Sequence, residues 1–328
     1  MNKVLASPAE AVADVPDGAT IGIAGFGIGH RAPNSLVEAL GRQGAKDLHI
    51  VSNGLNTATR EHLVDTGRVG WFSGAFAPRN RPPGMAEQLI AEGRMKLELV
   101  PQGIMVERCR AAGAGIPAFY SPTGADTLLA EGKDIRYFDG KPYVLEPALP
   151  LDYAFFHAYR ADRMGNVQFR GGSQNFGTSF AKAARVAIAE VEEIVAVGEL
   201  DPNQVDLPCA LVSRVVKSTA TLDLEKLLES RRGRKRPPDV PKLYNGKPAL
   251  TRAAAAKRAA MLLPEGSVVN LGVGIPTMVS NYLEGRDVML HAENGVLGYG
   301  EQVAGDGIDL DIYNAGDLLA VAQNAVLG

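Results

Sequence analysis

The apolar positions of the first long segment fall into two alternating patterns. Ala19-Thr20-Ile21-Gly22-Ile23-Ala24 and Leu48-His49-Ile50-Val51 are short, almost continuously apolar runs that predict buried strands. Between them Pro33-Asn34 opens a helical pattern over Ser35-Leu36-Val37-Glu38-Ala39-Leu40, with proline in the first turn, where its missing N–H costs nothing. Strand, helix and strand in close succession make a βαβ unit, which implies a parallel sheet. Leu97-Glu98-Leu99-Val100 and Tyr153-Ala154-Phe155-Phe156-His157-Ala158 predict further strands. Phe180 to Ala187 predicts a helix, and Val186 to Val191 leads into another strand. The fold class is α/β.

Residues 217–247 break this alternation. Arg231-Arg232-Gly233-Arg234-Lys235-Arg236 is followed by Pro237-Pro238-Asp239-Val240-Pro241, poor material for a core. A linker over 218–247 is the expectation, between a domain over 1–217 and a second over 248–328. A nucleic-acid patch is the sharper alternative, but the rest of the chain supplies neither a basic face nor a nucleic-acid motif. The Ala-rich stretch 253–263, interrupted by Lys257 and Arg258, predicts a helix.

Composition narrows the class. At 328 residues, 46% hydrophobic and 22% charged, the chain can form two globular domains. A formal net charge of −3 gives no field to draw nucleic acid or an anionic membrane. Cys109 and Cys209 are too few for a disulfide framework and lack metal-ligand spacing, and the histidines lack it too. No apolar run is long enough to span a membrane and no targeting segment is read at the N-terminus. A soluble cytoplasmic protein, with no metal and no nucleic-acid or membrane partner, is expected.

An internal repeat carries more information. Pro16-Asp17-Gly18 precedes the strand Ala19–Ala24 and the turn Gly25-Phe26-Gly27-Ile28-Gly29. Pro264-Glu265-Gly266 precedes Ser267-Val268-Val269-Asn270-Leu271 and the turn Gly272-Val273-Gly274. Each copy continues through a proline, Pro33 or Pro276, into a helix and a second strand. Those second strands end in Val51-Ser52-Asn53-Gly54 and Ala292-Glu293-Asn294-Gly295. Two Asn-Gly turns are thus expected at carboxyl ends of strands, where open α/β sheets bind ligands. Aligned by motif, Ser52 stands where the second copy has Glu293. That asymmetry points to one chemical centre, with the other half in support. Gly25 to Gly29 has no G-x-G-x-x-G spacing and no ribose-binding acid at the expected distance, which argues against a dinucleotide loop.

The ordered motifs resemble family I CoA transferases of the 3-oxoacid (succinyl-CoA:acetoacetate) type. Residues 15–54, Pro101-Gln102-Gly103, Gly113 to Tyr120, Asp162 to Asn166, Asn175-Phe176 and Gly198 to Pro202 resemble the family's α part. Asn270 to Thr277 and Glu293-Asn294-Gly295-Val296-Leu297-Gly298 resemble its β part. The resemblance implies two related open α/β domains, the second of which departs from the family after Asn314-Ala315-Gly316 and reads as incomplete over 248–328. A truncated chain, a frameshifted gene product and a chain completed by a partner all fit that expectation.

The resemblance also implies chemistry. Glu293 would attack an acyl-CoA thioester, and the reaction would pass through an acyl anhydride and a glutamyl-CoA thioester before a second acid takes the CoA, in ping-pong order. Coenzyme A is then substrate and covalent intermediate, with no permanently bound cofactor. Gly25, Phe26 and Gly27, with Asn294, Gly295 and Gly298, are carried over as oxyanion and CoA-binding positions. The family's G-x-G-G-F is Gly22-Ile23-Ala24-Gly25-Phe26 here, with Ala24 at the third position. Asn53 and Gln102 are expected to contact a substrate carboxylate or carbonyl. The partners implied are an acyl-CoA, a short carboxylic acid and further copies of the chain in a homo-oligomer. Two alternatives stay open: an acyl-CoA hydrolase on the same scaffold, and a CoA-binding or subunit protein that is catalytically incomplete.

Overall fold

The computed structural model describes residues 1–26, 31–80, 82–220, 243–302, 312, 314 and 320–327. Gly27, His30 and the basic run 231–236 lie outside them. Chain contacts divide the protein into two units, Met1–Ala220 and Thr221–Gly328.

The first unit contains, in chain order, β1 (Thr20–Ile23), β2 (Leu48–Ser52), β3 (Val69–Gly74), β4 (Lys96–Leu99), β5 (Ala118–Ser121), β6 (Ile135–Phe138), β7 (Lys141–Pro147), β8 (Leu151–Asp162), β9 (Val167–Gln168), β10 (Ala184–Val195) and β11 (Arg214–Lys217). The main sheet has the order β11-β10-β8-β1-β2-β3-β4, with β9 beside β8. Its pairs are parallel apart from β8–β9. β5, β7 and β6 make a separate antiparallel sheet.

Both faces of the main sheet are covered, as a parallel sheet requires. All five residues of β2 are buried. In β8 the adjacent Phe155 and Phe156 point to opposite faces. Phe155 joins the cluster of Ile21, Leu36, Leu40 and Phe72, while Phe156 meets Phe169 with ring centroids 6.0 Å apart. Phe72, Phe155, Phe156 and Phe180 are fully buried, each contributing about 1.5–3 kcal/mol from apolar area removed from water. The helix Asn34–Gln43 starts after Pro33 and ends on Gly44 at φ 104°, a left-handed cap that glycine favours.

The helix expected over Phe180 to Ala187 spans Gly177–Ala183 instead, and β10 begins at Ala184. Ala184, Val186 and Ala187 pair with Leu151, Tyr153 and Ala154 of β8. Pairing with β8 overrides the helical preference of Ala184, Arg185 and Ala187, as tertiary context commonly does.

The second unit contains β12 (Leu243–Tyr244), β13 (Lys247–Pro248), β14 (Ser267–Asn270), β15 (Val288–His291), β16 (Val296–Gln302) and β17 (Ala320–Leu327). The end of the expected linker is thus a hairpin, turned at Asn245 (φ 48°) and Gly246 (φ 74°), the two left-handed positions of a type I′ turn. The Ala-rich helix runs Arg252–Leu262 and is capped by Thr251, whose Oγ1 accepts the Ala254 N–H at 3.1 Å. Its Ala256 and Ala260 pack into a core with Leu271, Val279, Leu290 and Tyr299. The sheet order is β14-β15-β16-β17, with only the first pair parallel.

The repeat is real as structure: β1 and β2 flank a helix and pair in parallel, and β14 and β15 flank the 3-10 helix Pro276–Tyr282 and do the same. Register alters one equivalence. Gly22 and Asn270 each lie six residues after the proline of their copy, and they pair with Val51 and His291. Two residues further on stand Asn53 and Glu293. The ladder therefore sets Glu293 against Asn53, whereas the motif alignment sets it against Ser52.

Candidate functional site

In the first unit the strand order turns at β1. From β1 the chain proceeds to β2 on one side, while β8 on the other side leads to β10. The carboxyl ends of β1 and β8 form the crevice where open α/β sheets bind ligands. Gly25 and Phe26 leave β1 at this point. Gly25 has φ +147°, a conformation that side-chain-bearing residues rarely adopt, and a Cβ there would lie 3.1 Å from the Ala32 Cβ, so a substitution would be strained and tight. Its N–H, an expected oxyanion donor, already donates to Asn175 Oδ1 at 3.1 Å. Phe26 is buried and stacks on Phe176 at 6.2 Å, and Phe176 stacks on Phe180 at 5.5 Å.

Asn53 and Gln102 are brought together. Asn53 follows β2 and is buried, and its carbonyl oxygen accepts the N–H groups of Ala75 and Phe76 at 3.0 and 3.1 Å. Its Oδ1 accepts from Gln102 Nε2 at 2.8 Å. Gln102 is the first residue of the helix Gln102–Gly113, entered through Pro101. That helix is fixed further along by Arg108, which donates from Nη1 to Glu98 Oε1 at 3.0 Å and from Nε to the Pro147 carbonyl at 2.9 Å. Glu98 also accepts from Ser73 Oγ at 2.6 Å, and Ser73 Oγ lies 2.8 Å from His49 Nε2. Burial is the main cause that pushes His49 down to about 4, so it stays neutral as a core histidine.

In the second unit Ala292-Glu293-Asn294-Gly295 is a β-turn joining β15 to the antiparallel β16. Gly295 N–H donates to the Ala292 carbonyl at 3.0 Å, and Ala292 N–H donates to the Val296 carbonyl at 2.9 Å. Glu293 occupies the first central position and is exposed, whereas Asn294 beside it is buried. Gly295 adopts φ 90°, which lets the turn re-enter a strand. Gly298 adopts φ 79° inside β16, where the register with β17 shifts between Leu297 and Tyr299. A glycine at such a bulge serves the backbone whether or not a ligand lies near it. Among the described residues there is no group of three or more His, Cys, Asp or Glu able to hold a metal ion. No helix among them is long and apolar enough to cross a membrane.

Residues 5–218 and 252–326 match the family model described as coenzyme A transferase. The chain belongs to the coenzyme A transferase family. It is 37% identical over 335 residues to the rat mitochondrial succinyl-CoA:3-ketoacid coenzyme A transferase 2A, a match covering 96% of this chain and 62% of the relative. The chain thus spans less than two thirds of the length of that relative. Its first part is 44% identical over 218 residues to a subunit of the 3-oxoadipate CoA-transferase of Pseudomonas putida, covering 66% of this chain and 94% of the relative. Among solved structures it resembles the acyl-CoA transferase of E. coli O157:H7 in a thioester complex with CoA. There the TM-score is 0.70 and the identity 25%, over 90% of this chain and 62% of the other.

The residue that sequence reasoning leaves without a role is Asn175. The sequence marks it only as part of a family motif, and its contact joins residues 150 positions apart.

Proposed function

We propose that this protein transfers coenzyme A between an acyl-CoA and a short carboxylic acid, with Glu293 as nucleophile. The observation that carries this reading is the position of Glu293: the apex of an exposed β-turn, within the stretch 252–326 that matches the family. Two relatives support it by what they are: one named for succinyl-CoA and a 3-ketoacid, one seen as a thioester with CoA.

The carboxylate attacks the thioester carbonyl, the C–S bond breaks and CoA thiolate leaves, giving a mixed anhydride on Glu293. The thiolate then attacks the glutamyl carbonyl, expels the first acid as carboxylate and leaves a glutamyl-CoA thioester. A second carboxylate reverses both steps. Splitting one exchange into two acyl transfers lowers each barrier. The Phe26 main-chain amide is the proposed oxyanion donor, since the Gly25 amide is taken by Asn175, and a preorganised donor needs no reorganisation as charge develops. Asn53 and Gln102 orient the acid. The acids are a 3-oxoacid and a dicarboxylate such as succinate, and the protein works as a homo-oligomer.

Exposure of Glu293 favours one second reading, acyl-CoA hydrolysis by water reaching the glutamyl thioester. Incubation with acetoacetyl-CoA followed by borohydride separates the two. A transferase yields Glu293 reduced at its carboxyl carbon, as read by mass spectrometry, and a Glu293→Gln variant yields none. Steady release of free CoA with no acceptor acid present would favour hydrolysis. Neither adduct nor release would sink both.

A further inference from the structure

We propose that Asn175 is a positioning residue of the acyl-transfer site: its side-chain carbonyl holds the Gly25 main-chain amide and so sets the turn that orients the Phe26 amide toward a developing oxyanion. The proposal rests on the reading of Gly25 and Phe26 given above.

Glycine loses more conformational freedom on ordering than any other residue, so a glycine turn that must present an amide with precision needs an outside restraint. Gly25 has no side chain to supply one, and its φ of +147° with Ala32 close by disfavours adding one. Ala24 N–H is fixed by the Phe155 carbonyl of β8 at 2.9 Å. The next amide along is fixed by Asn175.

Asn175 sits in the connection from β9 to the helix Gly177–Ala183, beside the crevice at β1 and β8. Its Oδ1 accepts two main-chain N–H groups, Gly25 at 3.1 Å and Phe176 at 2.7 Å. Its Nδ2 donates to the Gly172 carbonyl at 3.2 Å. That pattern defines the amide orientation, since a flip would set donor against donor. The stack of Phe26 on Phe176 joins the same two segments independently. A polar and an aromatic contact therefore clamp one glycine turn, and Asn175 contributes the bond to the residue that is free to rotate.

The test uses the full chain with Asn175→Ala and Asn175→Asp. Main-chain hydrogen exchange at Gly25 is read by NMR, alongside steady-state kinetics with acetoacetyl-CoA and succinate. In Asn175→Ala, Gly25 should exchange at least about tenfold faster while β2 amides are unchanged, and kcat should fall at least about tenfold with KM for acyl-CoA within about twofold. Asn175→Asp keeps an acceptor oxygen and should restore Gly25 protection. If the alanine variant fails to fold, Asn175→Gln, which displaces the oxygen by one methylene, carries the same expectations. Unchanged Gly25 exchange, an increased kcat, or a kcat loss matched by faster exchange throughout the core would each overturn the proposal. Absence of a trapped Glu293 adduct in the wild type would sink the functional reading and the catalytic half of this one, while Gly25 exchange still decides the structural half.

Discussion

The Gln102 side chain donates to the Asn53 side-chain oxygen at 2.8 Å, across 49 positions of sequence. The bond ties the carboxyl end of β2 to the first residue of a helix, and Asn53 is buried. Removing Gln102 takes a donor from a buried oxygen, which costs about 1–3 kcal/mol. Gln102→Ala and Asn53→Ala are expected to couple by about 1 kcal/mol in a double-mutant cycle read by urea unfolding. On the proposed role of the pair in orienting the acid, each should also raise KM for the acceptor acid more than it lowers kcat. Additive stability losses, or a pure kcat effect, would count against the pair acting as a unit.

His49 gives a pH prediction. Burial, opposed by Glu98 and reinforced by Arg108 and Lys96, lowers it from 6.5 to about 4. The folded-state value is depressed, so the unfolded chain binds the proton first. Stability tied to His49 is present above about 6.5 and is lost as pH falls through about 4. The imidazole C2 proton of His49 should show no titration near neutrality and should move only in the acid range. A midpoint near 6.5 would mean that the ring, stacked on Trp71 at 3.9 Å, is wetter than its burial implies.

Gly113 closes the helix that Gln102 opens, and it does so against the helix Gly177–Ala183. A Cβ at Gly113 would lie 2.8 Å from the Lys182 carbonyl oxygen and 2.9 Å from its carbonyl carbon. Backbone cannot rotate away as a side chain can. Gly113→Ala should therefore destabilise by about 1–3 kcal/mol, the usual cost of overpacking, read as a shift of the urea midpoint at constant slope. A neutral variant would show that the two helices can separate.

Much of this was legible in the sequence. The βαβ units, the repeat and the Glu293 turn are local, and periodicity together with turn chemistry reports local structure. Elsewhere distant pairing decides. Ala184 to Ala187 is strand because β8 is there to pair with it. The match of Glu293 to Asn53 rather than Ser52 depends on ladder register, which no single copy reveals. The hairpin at Asn245-Gly246 is readable from its Asn-Gly turn, but the basic and proline-rich run before it draws the whole stretch into a linker. Asn175 cannot be placed from sequence at all, since its partner Gly25 is 150 residues away.

Glu190 gives a pH effect of the opposite sign to that of His49. It is fully buried in the middle of β10, and burial raises its carboxyl above the ordinary 4.5 despite opposing hydrogen bonds. Those bonds come from Ser218 Oγ at 2.6 Å, Ser35 Oγ at 2.8 Å and the Leu36 N–H at 3.1 Å. Ser35 Oγ in turn accepts the N–H groups of Thr219 and Ala220, both at 2.9 Å, so Glu190 joins the start of the helix Asn34–Gln43 to the end of the first unit. With the folded value raised, the folded state binds the proton first. The associated stability is fully present below 4.5 and declines as pH rises through the folded value. Glu190→Gln carries no such proton. The thermal midpoint of the wild type relative to this variant should therefore fall as pH is raised from 4.5 toward neutrality. A rise over the same range would mean that the three donors outweigh burial and that Glu190 works as an ionised cap.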